Sequence, residues 1–453
     1  MSRQTSSPSA HRGAFSPSTS RLASSLATSF PPPPPPSLPP ATGFPIPAST
    51  PTALPLSPSP AIPTRLGPSD FPILRVLGKG AYGKVYLVRH LPTSRLFAMK
   101  VLRKAHLALH STVRHTRSER AILESVRHAF VARLYYAFQT QERLYLVLGY
   151  ASGGELFAYL TRERMFGEEV AAFYLGEILL ALEHLHSLGI IYRDLKPENI
   201  LLDNAGHVVL TDFGLSKVAL DANTFCGSVE YMAPEIISEH VYDRAVDIWS
   251  FGVLAYDLLC GHPPFTGNNK KKVMDAILKK KLVVPNYLSS FAKDLLIKLL
   301  RKNPRQRIGA GPEGIAAVKA HPFFRKMDWE KLGRREYVPP IVPSVNAVDD
   351  TSNFSTEFTT LPPVESPLDS YTAPPPRSKR GSYARTAPQG VSPDGMSIPL
   401  RDGEASTPPG FSRSRRRSSE HLFKGFSYVA DPEMLERDFG EDGFVDWAAV
   451  DRY

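Results

Sequence analysis

Asp194, Lys196 and Asn199 stand in the run Ile191-Tyr192-Arg193-Asp194-Leu195-Lys196-Pro197-Glu198-Asn199, which brings a carboxylate, an ammonium and an amide into one short loop. These groups suit displacement at phosphorus. A carboxylate can accept the proton of an attacking hydroxyl, an ammonium can neutralise a transferring phosphoryl, and an amide oxygen can hold a metal ion. Asp212-Phe213-Gly214 supplies a second metal-ligand candidate followed by a flexible glycine. A solvated surface loop would need none of these types at these positions.

Such a loop needs a nucleotide held opposite it. Leu77-Gly78-Lys79-Gly80-Ala81-Tyr82-Gly83-Lys84-Val85 has Gly-x-Gly-x-x-Gly spacing, which by itself also fits a dinucleotide site. A dinucleotide fingerprint opens a helix. Here Val85, Leu87 and the apolar run over 96–102 predict strands on either side, hence a glycine hairpin whose backbone N–H groups can approach phosphate oxygens. Ala98-Met99-Lys100 lies on the next strand, and Glu119 on a helical pattern with Ile122, Leu123 and Val126 as its apolar stripe. Glu119 is expected to pair with Lys100 and hold it against the phosphates. The strand 144–148 runs into Gly149-Tyr150-Ala151-Ser152-Gly153-Gly154, read as a hinge. Leu148 would wall the adenine, and backbone groups of Gly149 and Ala151 would bond it. Val170, Phe173, Tyr174, Ile178, Leu182 and Leu185 recur at helical spacing and predict a core helix leading to the catalytic loop.

These motifs resemble those of a eukaryotic-type protein kinase over residues 71–324. The resemblance implies an α+β, two-lobed fold, with a small β-rich lobe, a larger mainly helical lobe, and ATP and Mg²⁺ between them. It makes Asp194, Lys196, Lys100 and Glu119 the catalytic set, 77–85 with Lys100, Gly149 and Ala151 the ATP site, and Asn199 and Asp212 the metal ligands. Thr224-Phe225-Cys226-Gly227 and Ala233-Pro234-Glu235 would bracket an activation segment. Asp247-Ile248-Trp249-Ser250-Phe251-Gly252 would be a buried helix, and Arg307 the structural partner of Glu235.

The tail narrows the resemblance to the AGC group and, within it, to the ribosomal S6 kinase family with its mitogen- and stress-activated relatives. Tyr192 before Arg193-Asp194 is usual there. Asn353-Phe354-Ser355-Thr356-Glu357-Phe358-Thr359 is similar to the segment that crosses the nucleotide cleft. Pro363-Val364-Glu365-Ser366-Pro367 resembles the turn motif, and Phe423-Lys424-Gly425-Phe426-Ser427-Tyr428-Val429-Ala430 the hydrophobic motif. By this resemblance Thr224, Ser366 and Ser427 are phosphosites for upstream activating kinases, and His115, Arg193 and Lys217 form the pocket for phosphate on Thr224. Phe423 and Phe426 would dock on the small lobe. Glu155, Glu198 and Asp257 would bind arginines of the substrate. Two departures stand out: Gly149 replaces the usual acidic hinge residue, and Ser228 replaces the usual Thr.

Composition divides the 453 residues further. Residues 1–69 contain no acidic group and are rich in Ser and Pro, with a proline run at 31–36, so polyproline II disorder is expected. Residues 71–324 alternate apolar runs with Gly and Pro as one folded unit does, and by the resemblance are expected to be the kinase domain, with 325–430 its tail and 431–453 an acidic extension to which no role is assigned. The net charge of +10 is dispersed except for Arg413–Arg417, which has no interleaved aromatics, so nucleic-acid binding is not expected. Two cysteines imply no disulfide framework and a reducing compartment. No apolar run is long enough to span a bilayer. The proline run argues against an amphipathic transit peptide, so a monomer in cytosol or nucleus is expected. Two competing readings remain: an idle scaffold recruiting SH3 or WW modules through 31–36, and a kinase of small molecules. The complete catalytic set disfavours the first, and the activation segment, a platform for peptides, disfavours the second.

Overall fold

The computed structural model describes residues 66–80, 83–109, 113–213, 217–218, 229–238, 242–365 and 423–451. Its small lobe is built on β1 (Ile73–Lys79), β2 (Gly83–Arg89), β3 (Leu96–Arg103), β4 (Leu134–Gln139) and β5 (Arg143–Gly149), with α1 (Lys104–Leu109) and α2 (Val113–Ser125) between β3 and β4. Strand alternation sorts the side chains of β3. Phe97, Met99 and Val101 join an apolar cluster on the outer face, whereas Lys100 points towards α2 and the cleft.

The large lobe carries β6 (Gly154–Glu155), α3 (Leu156–Glu163), α4 (Glu168–Ser187), β7 (Ile190–Ile191), β8 (Ile200–Leu202), β9 (Val208–Leu210) and β10 (Lys217–Val218). Then follow α5 (Pro234–Ile237), α6 (Ala245–Cys260), α7 (Lys270–Lys279) and α8 (Ser290–Leu299). Every residue of α6 is buried, as expected of a helix that is apolar all round, and Gly261 ends it at φ 76°. α4 packs on α6, and α6 on α8, so the core of this lobe lies between those three helices.

The sheet of the small lobe has a sixth strand that the chain supplies from its far end. β11 (Tyr428–Val429) pairs antiparallel with β4, giving the order β1-β2-β3-β5-β4-β11. Beyond it, residues 431–451 form more than an acidic extension. Asp431 caps a helix at Pro432–Arg437, and Met434, Leu435, Phe439, Val445 and Trp447 are buried in the outer cluster with Phe97, Met99 and Tyr135. A sequence signal for this cover existed in β4. Leu134-Tyr135-Tyr136-Ala137-Phe138 is apolar without alternation, the pattern of a strand covered on both faces. Among the described residues no helix is long and apolar enough to cross a membrane.

Candidate active site

The catalytic loop is fixed from beneath by one carboxylate. Asp247 is fully buried on α6 and accepts the backbone N–H groups of Tyr192 at 2.9 Å and Arg193 at 2.7 Å, with His186 Nε2 at 2.8 Å. Sequence reasoning gave Asp247 no role. The signal was an acidic residue inside a mostly apolar helix, which must find buried donors. Arg193 and Asp212 are both held at positive φ, 67° and 58°, conformations costly for L side chains and characteristic of positions that the surroundings over-determine.

Asp194 and its two companions meet within hydrogen-bond reach. Lys196 Nζ lies 2.5 Å from Asp194 Oδ2, and Asn199 Nδ2 donates to the same oxygen at 2.8 Å and to the Asp194 carbonyl at 2.9 Å. Burial pushes the Asp194 carboxyl above the usual range, against the pull of Lys196 and Asn199, which is the direction that makes a carboxylate a better base. β8 begins just after Asn199 and β9 ends just before Thr211, with Ile200 opposite Leu210. Thr211 N donates to the Asn199 carbonyl at 2.9 Å, so this hairpin sets the two metal-ligand candidates side by side. Among the described residues no group of three His, Cys, Asp or Glu is arranged for a metal. The amide and carboxylate oxygens of Asn199 and Asp212 fit Mg²⁺ nonetheless. That ion commonly takes only one or two protein carboxylates and completes its shell with water and phosphate oxygens.

On the small-lobe side Lys100 Nζ bonds Glu119 Oε1 at 2.7 Å and Asp212 Oδ1 at 2.9 Å. Burial opposes the charge on Lys100, but Asp212 and Glu119 outweigh it and hold the ammonium well above its ordinary pKa. Burial raises the Glu119 carboxyl, with Lys100 acting against it. Lysine therefore stays cationic at the place where phosphates would lie. β1 and β2 form the glycine hairpin, closed by Gly80 N to Gly83 O at 2.8 Å. Leu77, Gly78, Lys79, Gly80, Gly83, Lys84 and Val85 are placed on it, whereas Ala81 and Tyr82 lie outside the described residues. A Cβ on Gly83 would fall on the Val101 carbonyl, while one on Gly78 would meet nothing, so the first glycine serves close packing and the second leaves open space.

At the hinge, the Gly149 N–H is used by the Arg133 carbonyl at 3.1 Å, so its carbonyl is the group to consider for adenine, with Ala151 two residues on. Leu148 is half-buried beside them. The tail lies across the hinge exit: Phe354 stacks on Tyr150 with centroids 5.8 Å apart, and Asn353 Nδ2 donates to the Ser152 carbonyl at 3.2 Å.

Of the three acidic residues expected to meet substrate, Glu155 and Glu198 are half-buried at the end of β6 and beside the catalytic loop. Asp257 is placed differently. It is 1% exposed on α6, and its Oδ2 accepts the Tyr231 hydroxyl at 2.5 Å. This ties Asp257 to the segment before Ala233-Pro234-Glu235. Glu235 itself is gripped by both terminal nitrogens of Arg307 at 2.7 and 3.0 Å. Thr224, Ser228 and Ser366 lie outside the described residues, and Glu365 next to Ser366 pairs with Arg143 and accepts Tyr145 OH at 3.2 Å. Phe423 and Phe426 are buried in one cluster with Leu102, Leu107, Ile122 and Leu123. Arg117 and Arg120 of α2 donate to the carbonyls of Lys424 and Ser427 at 3.3 and 3.4 Å.

A family model described as protein kinase domain matches residues 71–324. The chain belongs to the protein kinase family. A second model, described as protein kinase C terminal domain, matches residues 345–428, in keeping with the AGC group of Ser/Thr kinases. The chain is 52% identical over 307 residues to ribosomal protein S6 kinase 2 alpha of Gallus gallus, covering 66% of this chain and 41% of that protein. Ribosomal protein S6 kinase alpha-1 of Homo sapiens is 52% identical over 307 residues, covering 66% and 42%. Ribosomal protein S6 kinase 2 beta of Xenopus laevis is 53% identical over 306 residues, covering 66% and 48%. The chain thus spans less than half the length of each of these kinases.

Proposed function

We propose that this kinase transfers the γ-phosphoryl of ATP to Ser or Thr hydroxyls of proteins that carry arginine upstream of the acceptor. The observation that carries this is the meeting of Asp194, Lys196 and Asn199 on a loop pinned by Asp247, opposite the Lys100–Glu119–Asp212 group. Asp194 orients the acceptor hydroxyl and takes its proton as the hydroxyl oxygen bonds to the γ-phosphorus and the bond to the β-γ bridging oxygen breaks, leaving ADP. Lys196 offsets charge on the transferring group, and Lys100, held by Glu119, positions the α- and β-phosphates. Mg²⁺, held by Asn199 and Asp212, would neutralise phosphate charge. Transfer of labelled phosphate to an Arg-x-x-Ser peptide, with none to a free small-molecule alcohol, is the expected result; the reverse preference would overturn the reading.

The arginine preference is supported by Glu155 and Glu198, whose carboxylates suit bidentate guanidinium better than lysine. Replacing Glu198 by Gln should reduce the discrimination between the Arg-x-x-Ser peptide and its Arg→Ala partner by about tenfold, the scale of one hydrogen bond to a charged group. Equal discrimination by the parent and Glu198→Gln in kcat/KM would sink this assignment. Self-phosphorylation at Ser418 and Ser419, after Arg415-Arg416-Arg417, belongs to the same proposal.

Phosphate on Thr224 and Ser427 is proposed as the switch. Supporting it, β10 sets Lys217 opposite Ile191, close in sequence to Arg193, and α2, which carries His115, packs beside β10. A phosphate with nearly two negative charges would join those three cations. Unphosphorylated Thr224→Ala is expected to be nearly inactive in a peptide assay and Phe426→Ala weakly activated; full activity of Thr224→Ala would overturn the account. We further propose that the chain acts in growth or stress signalling in cytosol or nucleus, and that 31–36 recruits SH3- or WW-type modules.

A further inference from the structure

The hinge glycine Gly149 has a structural counterpart in Trp447, far along the chain. A Cβ on Gly149 would lie 2.7 Å from Trp447 Cη2 and 3.1 Å from Cζ2, so the indole occupies the space a side chain would fill. Trp447 is 2% exposed. Beside it Asp438, fully buried, pairs with Arg133 at 3.0 Å and accepts the Tyr135 hydroxyl at 3.2 Å. Phe439 packs on Phe97 at 5.3 Å with the Arg95 guanidinium 4.7 Å above its ring, and Arg95 also donates to the Leu435 carbonyl. Ala430 N donates to the Tyr135 carbonyl at 2.8 Å, so the hydrophobic motif and the extension run as one piece along β4.

We infer that residues 431–451 are an intramolecular clamp, seated by Trp447 on Gly149 and locked by Asp438 on Arg133, that holds the hydrophobic motif on the small lobe and braces the hinge from behind. The edge of β4 is a template for any extended segment, and a two-residue strand such as β11 provides little pairing of its own. The clamp adds buried aromatic area and an ion pair directly after that strand. The motif then stays on the sheet edge and its two phenylalanines stay against α2. Any side chain at 149 would push the indole out; glycine and tryptophan are therefore matched. Only the consequence for nucleotide binding rests on the kinase reading.

The test is amide hydrogen exchange of the full-length chain, without nucleotide, for the parent, Trp447→Ala, Gly149→Ala and the double variant. Exchange at Ala430 and Asp446 should accelerate by at least about tenfold in Trp447→Ala, with amides of α6 unchanged, the signature of a local opening. Gly149→Ala should do the same, and in the Trp447→Ala background it should add nothing, because the clash is gone. Unchanged exchange at Ala430 in Trp447→Ala, equal acceleration throughout both lobes, or full additivity in the double variant would each overturn the clamp. A parallel ATP titration should show a raised KM for ATP in Trp447→Ala; since exchange is read without ATP, the clamp and the kinase reading fail separately.

Discussion

Asp194→Asn should lower phosphotransfer to a peptide on the order of 10³-fold or more while leaving the fold intact. The amide is nearly isosteric and can keep a contact with Asn199, but it cannot accept the hydroxyl proton. It also removes the negative charge that holds Lys196 at 2.5 Å. Losing Lys100 should cost a similar factor for a different reason, because the phosphates lose the cation that Glu119 and Asp212 keep in place. Single-turnover rates measured across a range of ATP concentrations separate the two: Asp194→Asn should retain ATP binding, whereas Lys100→Met should weaken it as well. Parental rates in Asp194→Asn would remove that residue from the role of base.

The largest loss of stability is expected from Arg307→Ala, about 3–5 kcal/mol, the usual cost of leaving one partner of a buried ion pair behind. Arg307 is 2% exposed and satisfies more than Glu235. Its Nη1 donates to the Ala245 carbonyl at 2.6 Å and its Nε to the Arg301 carbonyl at 3.1 Å, and its guanidinium lies 5.2 Å from the Trp249 ring centroid. Truncation removes the partner of the Glu235 carboxylate and the donor to the carbonyls of Ala245, Arg301 and Lys302. Arg307→Lys should recover part of the loss, since charge returns without the planar fork. Urea unfolding followed by circular dichroism checks both; an unchanged midpoint in Arg307→Ala would show that Glu235 finds another partner.

The catalytic loop was legible because its chemistry is local. Asp194, Lys196 and Asn199 share one turn of chain, and the hairpin between Asn199 and Asp212 needs only two short strands with small polar residues between them. The pairing of Lys100 with Glu119 was also accessible, since alternation on β3 and helical spacing on α2 assign each a face. The surroundings of Asp257 were not legible: that its carboxylate accepts the Tyr231 hydroxyl depends on how α6 is rotated against the segment before α5.

The two-lobed α+β fold was legible through the resemblance that short motifs carry, and the meeting of Asp194, Lys196 and Asn199 through their short-range spacing. Only the tertiary structure decided that Asp247 pins the catalytic loop and that an acidic C-terminal segment covers the small lobe with Trp447 against Gly149. Periodicity reports that a residue is buried, and an unexpected glycine reports that space is needed. Neither names the group that fills it, because that partner comes from chain distant in sequence: Tyr135 and Asp438 are 303 positions apart. Such contacts close a long stretch of chain, so no short-range spacing encodes them.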